Sequence, residues 1–215
     1  MKSVNKIAAI AISFVLALSL AGAAHAKTRT TTVKVENHTG KTIETLSVIH
    51  KYSDNHREAK TWSNIRNGRS TPGKLRIRYN TGFGTSGQDW WYVAYKLKGE
   101  SVVRYTNPRN GRSVIDTIER FSKRNANWAA NELGKVPTKT IKTKVAKRVA
   151  QIVIKESAKH LLNNGSTAGF KKHLLRSKDQ SGGVTIKLFS NRKVGFYSKS
   201  GKSTTGTSTK RLLPR

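Results

Sequence analysis

Cysteine is absent from all 215 residues. That excludes disulfides and thiolate metal sites, so packing alone must hold the fold. Acid is scarce: 11 Asp and Glu stand against 42 Lys and Arg, a formal net charge of +31. After Asp179 no acid occurs, yet eight Lys or Arg follow. One apolar run, Ile7 to Leu20, opens the chain, and no second one follows it. Catalytic signatures are missing too. No HExxH spacing occurs, no histidine flanks a nucleophile motif, and no internal repeat is present.

The first 26 residues read as a secretory leader. Lys2 and Lys6 form a positive n-region, the apolar run follows, and Ala24-His25-Ala26 is a small-x-small cleavage site. The alternative is a signal anchor that stays attached, but the run is short for a span. Without the leader, 189 of the 215 residues remain, with a net charge of +29 because Lys2 and Lys6 are gone. That length suits one domain with a sizeable core. The expected location is secreted, or periplasmic in a bacterium.

Such a charge repels itself and seeks polyanions: envelope polymer, acidic glycan, lipid headgroups or nucleic acid. No nucleic-acid motif is present, so binding to nucleic acid is expected to be non-specific and salt-sensitive.

Residues 30–105 read as strands. "TTVKVE" and "IETLSVIHKY" are rich in β-branched residues, with the turn-like "NHTGK" between them. In "KLRIRY", Leu75, Ile77 and Tyr79 point one way, and Lys74, Arg76 and Arg78 the other. "SVVRYT" is a further short strand. Ser113 and Asp116 then form a capping pair, and Val114, Ile115, Ile118, Phe121, Trp128, Ala129 and Leu133 recur at roughly helical spacing up to Gly134 and Pro137. A second helix over about 140–163 carries Ile141, Val145, Val149, Ile152 and Val153 on one face. Its other faces are basic, with Lys144, Lys147 and Arg148 among them. A third helix is expected over about 167–176, with Phe170, Leu174 and Leu175. Strands resume at Val184, and from Gly201 the chain is Ser, Thr, Gly and Lys and is expected to fray.

The composition therefore predicts an α+β, mainly-β domain over 27–200, with a helical insertion over about 113–176 and a flexible basic tail over 201–215. No catalytic residue, metal ligand or cofactor is assigned. His50, Asp54 and His56 are close in sequence, but so loose a spacing reads as a surface turn. "GFGTSG" lacks the Walker ending and fails GxGxxG spacing, so Gly82, Gly84 and Gly87 read as turn glycines. Asn37 and Asn164 head glycosylation sequons, relevant only to a eukaryotic source.

The stretch "YNTGFGTSGQDWWYVAY" (79–95) runs from glycines into two tryptophans followed by Tyr92 and Tyr95. Alternation sends Trp90, Tyr92 and Ala94 to one face, and Trp91, Val93 and Tyr95 to the other. Either both faces are covered, which is the reading favoured here, or one aromatic row is exposed for binding. On the second view Trp90, Trp91 and Tyr92, with Lys74, Arg76 and Arg78, are candidate ligand contacts. Lys144, Lys147 and Arg148 are candidate contacts to a membrane or polyanion.

"HKYSD" (50–54), "TW" (61–62), "YNTGF" (79–83), Gly87 and "DWW" (89–91) together resemble the PUD-type domain. That family occurs in longevity-linked nematode proteins and secreted fungal proteins. The similarity continues in "IDTIE" (115–119), "GFKKHLLRSKD" (169–179) and "SGKSTTG" (200–206). The resemblance implies a two-layer β-sandwich and, as in the nematode members, association into homodimers or heterodimers. It implies no catalytic residues and no ligand. The expected function is a secreted, non-enzymatic protein that binds an anionic glycan, envelope polymer or lipid surface. The alternatives are a membrane-active or antimicrobial effector using the basic helix, and a nuclease or other hydrolase.

Overall fold

The computed structural model describes residues 26–53, 56–82, 85, 88–106, 116–125 and 139–212. Asp54, Gly84, Gly87, Ser113, the Trp128–Pro137 stretch and most of the leader lie outside these residues.

Ten strands dominate: β1 (Lys27–His38), β2 (Ile43–Tyr52), β3 (His56–Ile65), β4 (Leu75–Thr81), β5 (Asp89–Leu97), β6 (Val102–Thr106), β7 (Lys171–Lys172), β8 (Val184–Phe189), β9 (Lys193–Ser198) and β10 (Gly201–Arg211). Helix α1 covers 116–125, α2 covers Lys139–Asn163, and α3 is the single turn Asp179–Gly182. The strands run in the order β3-β2-β5-β6-β10-β9-β8-β1-β4, with β7 paired to β5. Among the described residues, only β1 and β8 pair in parallel; the remaining ladders are antiparallel.

The path is nearly closed and barrel-like. Its ends, β3 and β4, meet through side chains. Arg78 Nε donates to Glu58 Oε1 at 3.0 Å. His56 Nε2 lies 3.3 Å from Asn80 Oδ1, and Lys60 Nζ donates to the Lys74 carbonyl at 3.0 Å. The polar bridge leaves both edge strands without a bare template for another strand.

Alternation builds two apolar layers. Val33, Val35, Leu46, Val48, Leu75, Ile77, Tyr79, Trp91, Val93, Tyr95, Ile186, Val194 and Phe196 fill the interior. Ile49, Tyr92, Ala94, Val103 and Tyr105 face outward, where Val145, Val149, Val153, Ile154, Ala158 and Leu161 of α2 cover them. Ile152, assigned to the buried face by periodicity, is only half-buried, and Ile154 takes its place. Helix α2 is held at its C-terminus as well. Lys51, buried on β2, donates to the carbonyls of Asn164 and Ser166, and Arg57 Nη1 donates to the Asn163 carbonyl at 3.3 Å. Cations at the carbonyl end match the helix dipole and satisfy its last acceptors.

Two expectations are corrected here. Residues 167–176 are not a helix. Phe170 belongs to the outer layer and Leu175 to the interior, while Leu174 is exposed. A segment that must cross from one layer to the other runs extended, and Gly169, at φ 81, turns it. Residues 201–211 are not a frayed tail. They form β10, paired with β9 through Gly206 and with β6 from Thr207 to Arg211. Leu212 follows, buried in the outer layer, so the domain runs past 200.

Candidate anion-binding surface

Strand β4 carries the clearest cationic row. Leu75, Ile77 and Tyr79 are buried, and Lys74, Arg76 and Arg78 are exposed. Arg78 is drawn to Glu58 across the β3–β4 seam. Lys74 and Arg76 instead line a groove of about 440 Å³ with Thr30, Thr32 and the Gln180–Gly183 turn. No acid lines it. Gly183 holds φ 73 there, and a Cβ would stand 3.0 Å from the Thr32 carbonyl. Glycine lets α3 sit against β1.

Several acids elsewhere are already engaged. Glu36 holds Lys34 at 2.7 Å and Lys187 at 3.2 Å. The Lys34 ammonium, with help from Lys187 and His38 and against the effect of burial, brings its carboxyl down to about 2. Glu100 holds Arg104 at 2.7 Å, Glu119 holds Lys210 at 2.6 Å, and Glu44 pairs with the buried Lys96. Asp89 and Asp179 are buried.

The aromatic candidates separate. Trp91 has no exposed surface; its Nε1 donates to the His173 carbonyl at 2.9 Å inside the core. Tyr92 is equally buried, beside Phe170 in the layer beneath α2. Neither can touch a ligand, which corrects their place among the candidate contacts. Both faces of β5 are covered, because one meets the interior and the other meets the helix. Trp90 is half-buried at the rim of the outer layer, with the Lys172 ammonium 5.9 Å from its ring. It stands on β5, away from the β4 row in the strand order.

On α2, Lys144 and Arg148 are exposed and Lys147 is half-buried. Val145, Val149, Val153 and Ile154 of this helix are spent on the sheet, so in this state they are not offered to a bilayer. No described helix is long and apolar enough to cross a membrane.

His50 and His56 do not converge. His56 reaches Asn80 at the seam. His50 is fully buried, with Nε2 2.8 Å from Asp89 Oδ1 and Nδ1 3.2 Å from Glu58 Oε2. Burial opposes charge on the ring, but the two carboxylates outweigh it and raise the pKa. Asp89 also accepts from Leu175 N at 2.8 Å. Acid–base groups are thus assembled, but with both ring nitrogens occupied and no surface for a substrate. Sequence spacing carries no sign of this network, since His50 and Asp89 lie on separate strands. Among the described residues, no group of three or more His, Asp or Glu is arranged to hold a metal ion.

The sequons differ in the same way. Asn37 is buried, and its Nδ2 donates to the carbonyls of Lys41 and Ile65, each at 2.8 Å. It sits near the end of β1, braces the turn that follows, and is out of reach of a glycosylating enzyme once folded. Asn164 is exposed at the end of α2.

Comparison with curated proteins gives no match. Residues 27–207 match the family model described as "Up-Regulated in long-lived daf-2", from β1 through most of β10, and the chain therefore belongs to the PUD family.

Proposed function

We propose that this protein is exported and acts without catalysis, holding to an anionic glycan, envelope polymer or lipid surface. The β4 groove supports this reading most directly. Lys74 and Arg76 flank it, the threonines of β1 supply hydroxyls, and no carboxylate lines it. With the nearby acids bonded elsewhere, the groove keeps an attractive field for a polyanion. In the same reading, the two halves of the sheet on either side of β10 act as the layers of a sandwich and present this face rigidly.

The experiment is a binding series of the full-length chain on acidic polysaccharide and on anionic vesicles across salt concentrations. A Lys74→Glu, Arg76→Glu double variant is compared with a variant reversing Lys155 and Lys159 on α2. The expected result is loss of binding in the β4 variant at salt where the wild type still binds. Binding that disappears equally in both variants and at moderate salt would reduce the interaction to non-specific adhesion.

A further inference from the structure

The wall of the sheet is split between β5 and the first half of β10. On the β5 side, β6 pairs at Ala94 and Tyr95, and β7 takes over at Trp90 and Trp91. On the β10 side, β6 pairs only from Thr207 to Arg211. Residues Gly201–Gly206 pair with β9 along one edge. Among the described residues, their other edge forms no ladder with the 171–176 segment that faces it.

A groove of about 440 Å³ follows this split. Lys171, Lys172, His173 and Arg176 stand on one wall, Lys202 and Ser203 on the other. No acid lines it. Like charges facing each other across a gap repel, and a ligand that neutralises both walls removes that cost. The walls are fixed in place from below by Asp179, which accepts from Arg176 N at 2.7 Å and from Ser200 N at 2.9 Å, with the Ser200 hydroxyl as a further donor. Asp89 lies beneath the same segment, accepting from Leu175 N and facing His50. Both carboxylates are committed to these donors, and they position the groove without entering it.

His173 ties the two walls to each other and to the core. It is 5 % exposed, with its ring stacked 5.9 Å from Phe196. Nδ1 lies 3.1 Å from the Ser203 hydroxyl, while Nε2 is buried with no hydrogen-bond partner. Burial lowers its pKa, helped by Lys171 and against the pull of Asp89 and Asp179, so the ring is neutral near pH 7. The Ser203 contact joins the two walls, while Nε2 is enclosed and out of reach of a ligand in the groove.

We propose that this split is a phosphate site. The oxygens of a free phosphate or a phosphomonoester would take donors from Lys171, Lys172 and Arg176 on one wall and Lys202 on the other. A tetrahedral group can address both walls, whereas the two oxygens of a carboxylate share one plane. The site shares no lining residue with the β4 groove and stands whether or not that groove binds polymer.

The test is calorimetric titration of the full-length chain with inorganic phosphate at constant ionic strength, with chloride as control. Flotation with phosphatidic acid vesicles, against phosphatidylcholine vesicles, forms the second arm. Lys202→Ala and Arg176→Gln are expected to weaken binding about tenfold each, the scale of one charge-assisted hydrogen bond. The β4 double variant is expected to bind as the wild type. Saturable binding of soluble phosphate identifies the free ion as a ligand. Vesicle binding alone, lost in the same variants, identifies a headgroup. Phosphate heats equal to chloride together with vesicle binding indifferent to Lys202 and Arg176 would overturn the proposal.

Discussion

His50 Nε2 lies 2.8 Å from Asp89 Oδ1, inside the sheet, with Glu58 on the other ring nitrogen. The ring packs on Trp91 at a centroid distance of 4.5 Å. One imidazole therefore ties β2 to β3 and β5, and through Glu58 to Arg78 on β4.

This network sets a pH window. The pKa of His50 is raised above its ordinary 6.5, so its contribution is complete below 6.5 and is lost as pH rises through the folded value. Burial pushes the Glu58 carboxyl up, but His50 and Arg78 bring it below its ordinary 4.5. Its contribution is complete above 4.5 and is lost as pH falls through the lowered value. Urea unfolding of wild type and His50→Gln should show the largest difference near pH 5.5, shrinking towards pH 9. Parallel curves at both pH values would remove the charged pair from the account.

Lys51 makes a second buried tie. Its ammonium sits 4.9 Å from the Phe170 ring and bonds the carbonyls just past α2. Lys51→Met keeps the stem but leaves those acceptors bare, costing about 1–3 kcal/mol. Hydrogen exchange should quicken in the last turn of α2 before it does in β8 or β9. An unchanged last turn would mean that the apolar face alone fixes the helix.

The tryptophan pair gives an optical prediction. Trp91 is enclosed and Trp90 is not. Trp91→Phe should remove blue-shifted, iodide-insensitive emission, and Trp90→Phe should remove a quenchable component. Truncation should diverge as well. Trp91→Ala is expected to cost about 3–5 kcal/mol, as for a large core side chain, and Trp90→Ala distinctly less. Equal quenching of the two single-Phe variants would contradict the placement of the rings.

Period-2 patterning makes much of the sheet legible in the sequence. β1 and β2 declare themselves by β-branched residues, β4 by alternation, β8 by the apolar residues from Val184, and β5 by aromatics on both faces. β3 does not, because "HREAKTWSNI" sends in only Trp62 and Ile65 as apolar anchors, and Asn64 (φ 58) breaks the alternation between them. Helical spacing of Phe170 and Leu174 misleads over 167–176, since periodicity cannot tell that neighbouring apolar residues serve different layers. The cationic row of β4 is readable from alternation. The split beside His173 is not, because it depends on β6 ending where β7 begins.

β10 is the least legible strand and gives the sharpest test. "GKSTTGTSTKR" has no apolar residue, and its composition is that of a linker. It nevertheless pairs on both sides, with β9 and with β6, and joins the two halves of the sheet. Its stabilisation comes from backbone hydrogen bonds rather than apolar burial, which is why hydropathy misses it. The similarity in "SGKSTTG" is the one sequence signal that marks it. Ending the chain after Ser200 removes those ladders and exposes the edges of β6 and β9. The expected outcome is loss of the cooperative thermal transition and aggregation of the soluble fraction. Ending it after Arg211 removes only Leu212 and the last three residues and should lower stability modestly. A chain cut after Ser200 that still melted cooperatively would show that β10 is an appendage and not part of the wall.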